Sequence, residues 1–313
     1  FAVSGAEAIE IALKTALKAT GRAGVLAFDP AYHGLTAGAL AITSRAAFRE
    51  PFAAHLQPHV RRLPFGCAWN DVAASLAAAS ADAHPIGAIA VEPIVGREGV
   101  LLPPRGWLAK LARLARENGA LLVIDEIFTG FGRIGALFAC QEEGVQPDLL
   151  CCGKALGGGL PIAAVLGRRA LFAVWETPGE ALHTATFLAN PLACAAALAV
   201  LDVLAEEALP QRAARLGVEV GGRLAAWPQR FAGIVRAVRG RGLLWGVELA
   251  SRQAAKDLVA GALHRGVLAL AGGPAGRVLQ IVPPLSIPET SLDTALALLE
   301  AELTAIASRG GGP

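Results

Sequence analysis

The chain has no methionine, a single tyrosine and only five lysines among its 313 residues. Its cysteines number five, an odd count without C-x-x-C spacing, which excludes a fully paired disulfide framework and a thiolate zinc site of the usual kind. Cys151 and Cys152 lie inside an apolar run. That is the setting of reduced, buried thiols, so a cytoplasmic location is expected. A net charge of +2 without any basic cluster leaves no electrostatic footprint for nucleic acid or an anionic membrane. Apolar residues make up 54% of the chain, yet no stretch approaches the roughly 18 to 20 uninterrupted apolar residues of a membrane span. The longest candidate, Leu192–Leu201, is short and alanine-rich and reads as a buried helix. No signal pattern stands before FAVSGAEA, which reads as the end of a strand. The expectation is therefore a chain lacking its protein's true N-terminus.

What is present is an alternation. Gly24–Phe28, Ile86–Val91, Leu121–Asp125, Leu149–Cys152 and Ile162–Leu166 are short apolar runs that read as strands. Between them, Ala6–Thr20, Asp71–Ala81, Pro104–Asn118 and Pro191–Glu207 carry helical spacing. Such alternation predicts an α/β fold with a doubly wound, mainly parallel sheet. Beyond about Leu209 the pattern changes to a helix (Gln211–Trp227), two strands (Ile234–Arg239, Leu243–Leu249) and two more helices (Arg252–Arg265, Pro288–Ser308). The expected division is a large domain over 1–208 and a smaller α+β domain over 209–313.

Lys154 stands apart from Lys14, Lys18, Lys110 and Lys256, which lie in helical stretches where a solvated lysine is ordinary. It follows the strand-like Leu149–Cys152 and precedes a glycine turn, so its amine emerges at the carboxyl end of a strand, where open α/β sheets hold ligands. A desolvated lysine there attacks a carbonyl to form a Schiff base. Asp125 ends another buried strand, where a carboxylate is costly unless paired or functional. Under a pyridine ring it would keep the ring nitrogen protonated. Its neighbour Glu126 reads better as a surface carboxylate. Ser4 and Glu7 form a capping box, and the free amides of Gly5 and Ala6 suit a phosphate as well as a plain helix start. Tyr32 is a candidate for stacking on a flat cofactor, or simply a packing residue. Thr186, just before Asn190-Pro191, binds phosphate or satisfies its own loop. Two other patterns are set aside. Gly130-Phe131-Gly132-Arg133-Ile134-Gly135 matches G-x-G-x-x-G without the following helix. His55 and His59 are separated by Pro58, which breaks the helix a metal pair would need. No metal is expected.

Taken in order, SGAEA, LLVIDEIFTGFGRIG, DLLCCGKALGGGLP, HTATFLANPLACAAALA and VPPLSIP resemble the class III family of pyridoxal-phosphate-dependent aminotransferases of fold type I. The resemblance implies that Lys154 forms the internal Schiff base and shuttles a proton. It implies that Asp125 pairs with the pyridinium nitrogen, Ile127 packs under the ring, and Tyr32 stacks over it. Gly5 and Ala6 would bind the phosphate, Glu92 would lie near the phenolic oxygen, and Thr186 would reach the cofactor of a neighbouring subunit in a homodimer. The implied reaction is ping-pong transfer of an amino group from a primary amine or ω-amino compound to a 2-oxo acid.

The departures concern substrate. An arginine that family members carry after the aromatic-His-Gly motif is Leu35 here. A second, three residues before the paired prolines, is Gln280, and the glutamate that gates it is Arg97. Arg97 or Arg277 is the candidate replacement contact for a carboxylate, and the usual glutamine after Asp-Glu-Ile is Phe128. The segments around Lys154 and Thr186 are most similar to diamine- and acylornithine-type members. Loss of both arginines points to an amine donor without a carboxylate near the reacting end. An aminomutase or racemase on the same scaffold, and a non-catalytic relative, are the alternatives.

Overall fold

The computed structural model describes residues 1–81, 83–176 and 178–310. Contacts divide the chain into two compact units. One comprises Phe1–Ile94, Pro103–Phe131 and Phe138–Glu206; the other comprises Val95–Leu102, Gly132–Leu137 and Glu207 onward.

The first unit is built on six strands: β1 (Gly24–Asp29), β2 (Val60–Pro64), β3 (Ile86–Val91), β4 (Leu121–Asp125), β5 (Leu149–Cys152) and β6 (Ala164–Gly167), in the order β2-β1-β3-β4-β5-β6. The first five are parallel and β6 runs antiparallel to β5. Strands buried on both faces need continuous apolar runs, and β3 through β5 are such runs. Alternate residues serve the two faces. Val25, Ala27, Ala88, Ala90, Val123, Leu149 and Cys151 pack with Ala8, Ile9, Ala12 and Ala16 of the Gly5–Thr20 helix. On the other face Phe28 meets Trp107, the first residue of the Trp107–Glu117 helix, edge-on at 4.9 Å. Small residues on the first face let the helix approach the sheet closely; fully burying each large side chain on the second contributes roughly 1.5–3 kcal/mol. The mainly parallel α/β expectation holds.

Two details differ from the sequence reading. β2 was not anticipated, because Val60-Arg61-Arg62-Leu63-Pro64 is a half-buried edge strand with two arginines and, among the described residues, pairs with β1 alone. The strand expected from Ile162 begins at Ala164 and is the antiparallel edge. Among the described residues no helix is long and apolar enough to cross a membrane.

The second unit holds β7 (Val235–Arg241), β8 (Leu244–Leu249), β9 (Leu270–Gly272) and β10 (Val278–Ile281) in the antiparallel order β7-β8-β10-β9. The helices Leu209–Ala225, Arg252–His264 and Glu289–Gly310 accompany this sheet. Leu216, Leu224, Trp227, Val247, Leu258, Leu279, Leu296 and Leu303 form its core. Glu300 fastens the last helix: it accepts bonds from Arg223 Nε (2.7 Å), Trp227 Nε1 (3.1 Å) and Arg230 Nη1 (2.9 Å).

Candidate active site

The strand order reverses between β1 and β3, and in open α/β sheets such a switch point opens a crevice at the strands' carboxyl ends. Four adjacent strands deliver their next residues to that edge. β1 leads into Tyr32-His33-Gly34, β3 into Glu92, β4 ends on Asp125, and β5 leads through Gly153 into Lys154. The Tyr32 amide donates to Glu92 Oε1 at 2.9 Å and so ties the two strands flanking the switch point. The Tyr32 ring packs edge-on to Phe48 at 6.3 Å.

Asp125 is buried, and both of its oxygens are engaged. Oδ1 accepts from the Ile127 amide at 3.0 Å, turning the chain out of β4, and Oδ2 lies 2.8 Å from His33 Nδ1. His33 is itself buried, with its amide held by the Thr43 hydroxyl at 3.0 Å. Burial is the largest influence on the imidazole and pulls its pKa down. The hydrogen bond and charge of Asp125, with Glu92 behind, outweigh it, so the pKa stands above the ordinary histidine value. His33 Nε2 is buried with no hydrogen-bond partner among the described residues. The sequence reading singled out Tyr32 in this motif and passed over His33. A histidine emerging at the same sheet edge as a buried aspartate was the available signal.

The Gly5–Thr20 helix begins beside Asp125's turn. Ser4 Oγ accepts from the Glu7 amide at 3.2 Å, and the Glu7 carboxylate reaches one residue beyond the cap to the Val3 amide at 2.7 Å. A Cβ on Gly5 would lie 2.9 Å from Ile127 Cδ1, so glycine leaves room that any larger residue would fill. Gly34, at φ +131°, presses against Ala6, whose Cβ would stand 2.6 Å from an added Cβ. Gly5, Ala6, Ile127 and the Tyr32-His33-Gly34 turn are thus brought together.

Lys154 has φ +42°, a left-handed backbone that non-glycine residues rarely adopt and that collects at functional sites. Its amine lies 4.8 Å from the centre of the Phe128 ring. The residue is exposed, so burial within this chain does not supply the desolvation expected of it. Glu126 corrects another expectation. It is fully buried, not a surface carboxylate, accepts from the Thr129 hydroxyl and from the Cys140 amide (2.8 Å), and has its pKa pushed up by burial. It pins the loop after β4. Thr186 is exposed. In the same segment His183 bridges Glu7 (3.4 Å) and Lys14 (3.2 Å) on the first helix.

The substrate candidates lie in the second unit. Gln280 donates from Nε2 to the Gly96 carbonyl at 2.9 Å. Arg277 pairs with Glu248 at 2.7 Å, and Arg239 holds the other Glu248 oxygen at 2.7 Å, so the two guanidiniums keep that carboxyl's pKa low, the Arg239 hydrogen bond foremost. Arg97 is exposed. Among the described residues no His/Cys/Asp/Glu group has the makings of a metal site.

The family model for class-III aminotransferases matches residues 1–303. The chain is 42% identical over 301 residues to the acetylornithine aminotransferase of Methanothermobacter thermautotrophicus, covering 96% of this chain and 73% of that protein. The acetylornithine aminotransferase of Methanopyrus kandleri is 42% identical over 305 residues, with 97% and 74% covered. Among solved structures, the ornithine aminotransferase of Toxoplasma gondii, with partial PLP occupancy at its active site, superposes with TM-score 0.89 at 32% identity, covering 98% of this chain and 72% of that one. A phospholyase from Arthrobacter in complex with phosphoethanolamine gives TM-score 0.88 at 34% identity, covering 97% and 76%.

Proposed function

From the premise that this chain belongs to the class-III aminotransferase family, we propose that Lys154, Asp125 and the helix start at Gly5 form its catalytic centre. The family makes it a pyridoxal-phosphate-dependent aminotransferase that moves an amino group from a primary amine or ω-amino compound to a 2-oxo acid. When bound, pyridoxal phosphate supplies an aldehyde that captures amines and a ring that takes up electrons. The residues present fit that group: a helix start whose glycine is close-packed on Ile127, a buried carboxylate backed by an imidazole, and a lysine at the next strand end.

Asp125, oriented by His33, would hold a proton on the ring nitrogen. Gly5 and Ala6 offer their amides to the phosphate, where the helix dipole favours negative charge. Ile127 and Tyr32 would supply apolar surface to the cofactor, and Glu92 would help to hold it. Lys154 Nζ would be the nucleophile toward the aldehyde and would carry a proton to and from the substrate carbon. The observation that carries the reading is the delivery of Asp125 and Lys154 from neighbouring parallel strands, β4 and β5, to one sheet edge. Visible absorption tests it. Wild-type protein with pyridoxal phosphate should acquire a band that Lys154→Ala lacks and that one amine from a panel bleaches without any 2-oxo acid. A band equally strong in Lys154→Ala overturns the assignment.

For substrate, the donor we infer is an amine with no carboxylate beside the reacting carbon. Gln280 cannot form an ion pair, and Arg277 is held by Glu248. Arg97, exposed at the position where family members carry the gating glutamate, is our proposed contact for the 2-oxo acid's carboxylate. The working assembly is a homodimer in which Thr186 serves the partner's cofactor. Exposed Phe187 (68%), Leu192 (75%) and Leu198 (63%) on and before the Pro191–Glu206 helix support it. A cytoplasmic setting suits the buried thiols, Cys140 pushed to about 12 and Cys152 to about 11 by burial.

A further inference from the structure

Phe128 occupies the position next to Ile127 and turns its ring toward a different object. Ile127 faces Gly5, whereas the ring of Phe128 lies under the Lys154 amine, 4.8 Å from centroid to Nζ. An aromatic face attracts an ammonium through its quadrupole and has no hydrogen bond to give a neutral amine. The contact therefore discriminates between the two protonation states of one atom. Lys154 also sits on a left-handed backbone that fixes where its side chain departs. We propose that Phe128 is a positioning residue that rests the Lys154 ammonium on its ring and lets the amine go once it is neutral and nucleophilic. The proposal rests on the reading that Lys154 is the amine that captures the cofactor.

The charged and titratable groups of the neighbouring segments are the same in every variant compared. Asp125 is bonded to His33 and the Ile127 amide, and Glu126 to Thr129 and the Cys140 amide. Cys152 lies two residues before Lys154, and the Pro191–Glu206 helix, which packs on the Lys154 turn, carries Cys194, Asp202 and Glu206. All are present in wild type and in Phe128 variants alike, so a comparison between them isolates the ring.

A contact of this kind at a partly exposed site is worth about a two- to five-fold preference for ammonium over amine. The experiment uses protein labelled at lysine Cε, in which the signal missing from Lys154→Ala identifies Lys154. Replacing the ring by leucine should move the Lys154 signal out of its ring-current position and lower the pH of its titration. Lys110 over Trp69 and Lys18 over Trp175 stay unmoved as internal controls. On addition of pyridoxal phosphate, Phe128→Leu should gain the visible band about two to five times faster than wild type at low pH and equally fast at high pH. Phe128→Tyr, which keeps the π face, should restore wild-type behaviour in both measurements. An unmoved Lys154 signal and midpoint in Phe128→Leu, or a tyrosine variant that behaves like leucine, overturns the proposal. Failure of the underlying assignment has a separate signature, a visible band that survives Lys154→Ala.

Discussion

Replacing His33 by glutamine removes the imidazole bonded to Asp125 while leaving an amide that can donate. The imidazole and the carboxylate lie 2.8 Å apart, with side chains 0% and 6% exposed, so water screens the pair little. A hydrogen bond between such groups with charge is worth about 1.5–3 kcal/mol, and breaking a buried ion pair costs about 3–5 kcal/mol. With glutamine recovering part of the bond, the expected loss of stability at pH 6 is about 3 kcal/mol. The pH dependence follows from the direction of the shift. The folded-state pKa of His33 is raised, so the folded protein binds the proton more tightly than the unfolded chain. The extra stability is complete below the unfolded value of about 6.5 and disappears as pH rises through the folded value. Above the folded value only a bond from a neutral imidazole to a carboxylate is left to lose, and the difference should shrink to about 1.5 kcal/mol. Urea unfolding of wild type and His33→Gln over a pH series from about 6 upward, without cofactor, measures both numbers. A loss that grows with pH would show that the folded protein does not hold this proton more tightly and refute the reasoning.

Other consequences are testable more simply. Gly34→Ala puts a Cβ at φ +131° and within 2.6 Å of Ala6, and should cost about 1–3 kcal/mol in thermal unfolding while weakening cofactor retention. Arg97→Ala should raise KM for the 2-oxo acid roughly ten- to a hundred-fold, the worth of one arginine–carboxylate bond, whereas Arg277→Ala should leave it unchanged; the reverse pattern would move the contact to Arg277. Glu300→Gln should destabilise the second unit by about 1 kcal/mol at neutral pH, discounted for the partial exposure of its arginines. The pKa of Glu300 is lowered first by its Arg223 bond, so that stability is present above the unfolded carboxyl value and fades as pH falls through the folded one. The gap between wild type and variant should close in acid. A disulfide reagent at neutral pH should leave Cys140, Cys151 and Cys152 unmodified, because they are buried and burial holds their thiols far from ionisation.

Legibility in the sequence tracked burial. β3, β4 and β5 begin and end where their apolar runs do, because a strand covered on both faces has no position free to be polar. β2 is the opposite case. Its identity as a strand comes from pairing with β1, residue for residue from Val25↔Val60 to Asp29↔Pro64, and its own composition carries two arginines that an edge tolerates. Nothing within five residues could announce a partner 35 positions away. The same holds at the site. Lys154 and Asp125 were visible because each follows a buried strand, a local fact. The His33–Asp125 bond spans 92 residues and exists because β1, β3 and β4 are neighbours in the sheet. A charge pair created by topology has no local sequence period, so only the fold reveals it. Glu126 makes the point in reverse: one residue past a strand, it looked like a surface carboxylate. It is buried because the loop ahead folds back to bring Thr129 and the Cys140 amide to it. A polar residue at a strand's end is therefore read correctly only when the segment that will satisfy it is known, and that segment is set by the sheet, not by its neighbours in the chain.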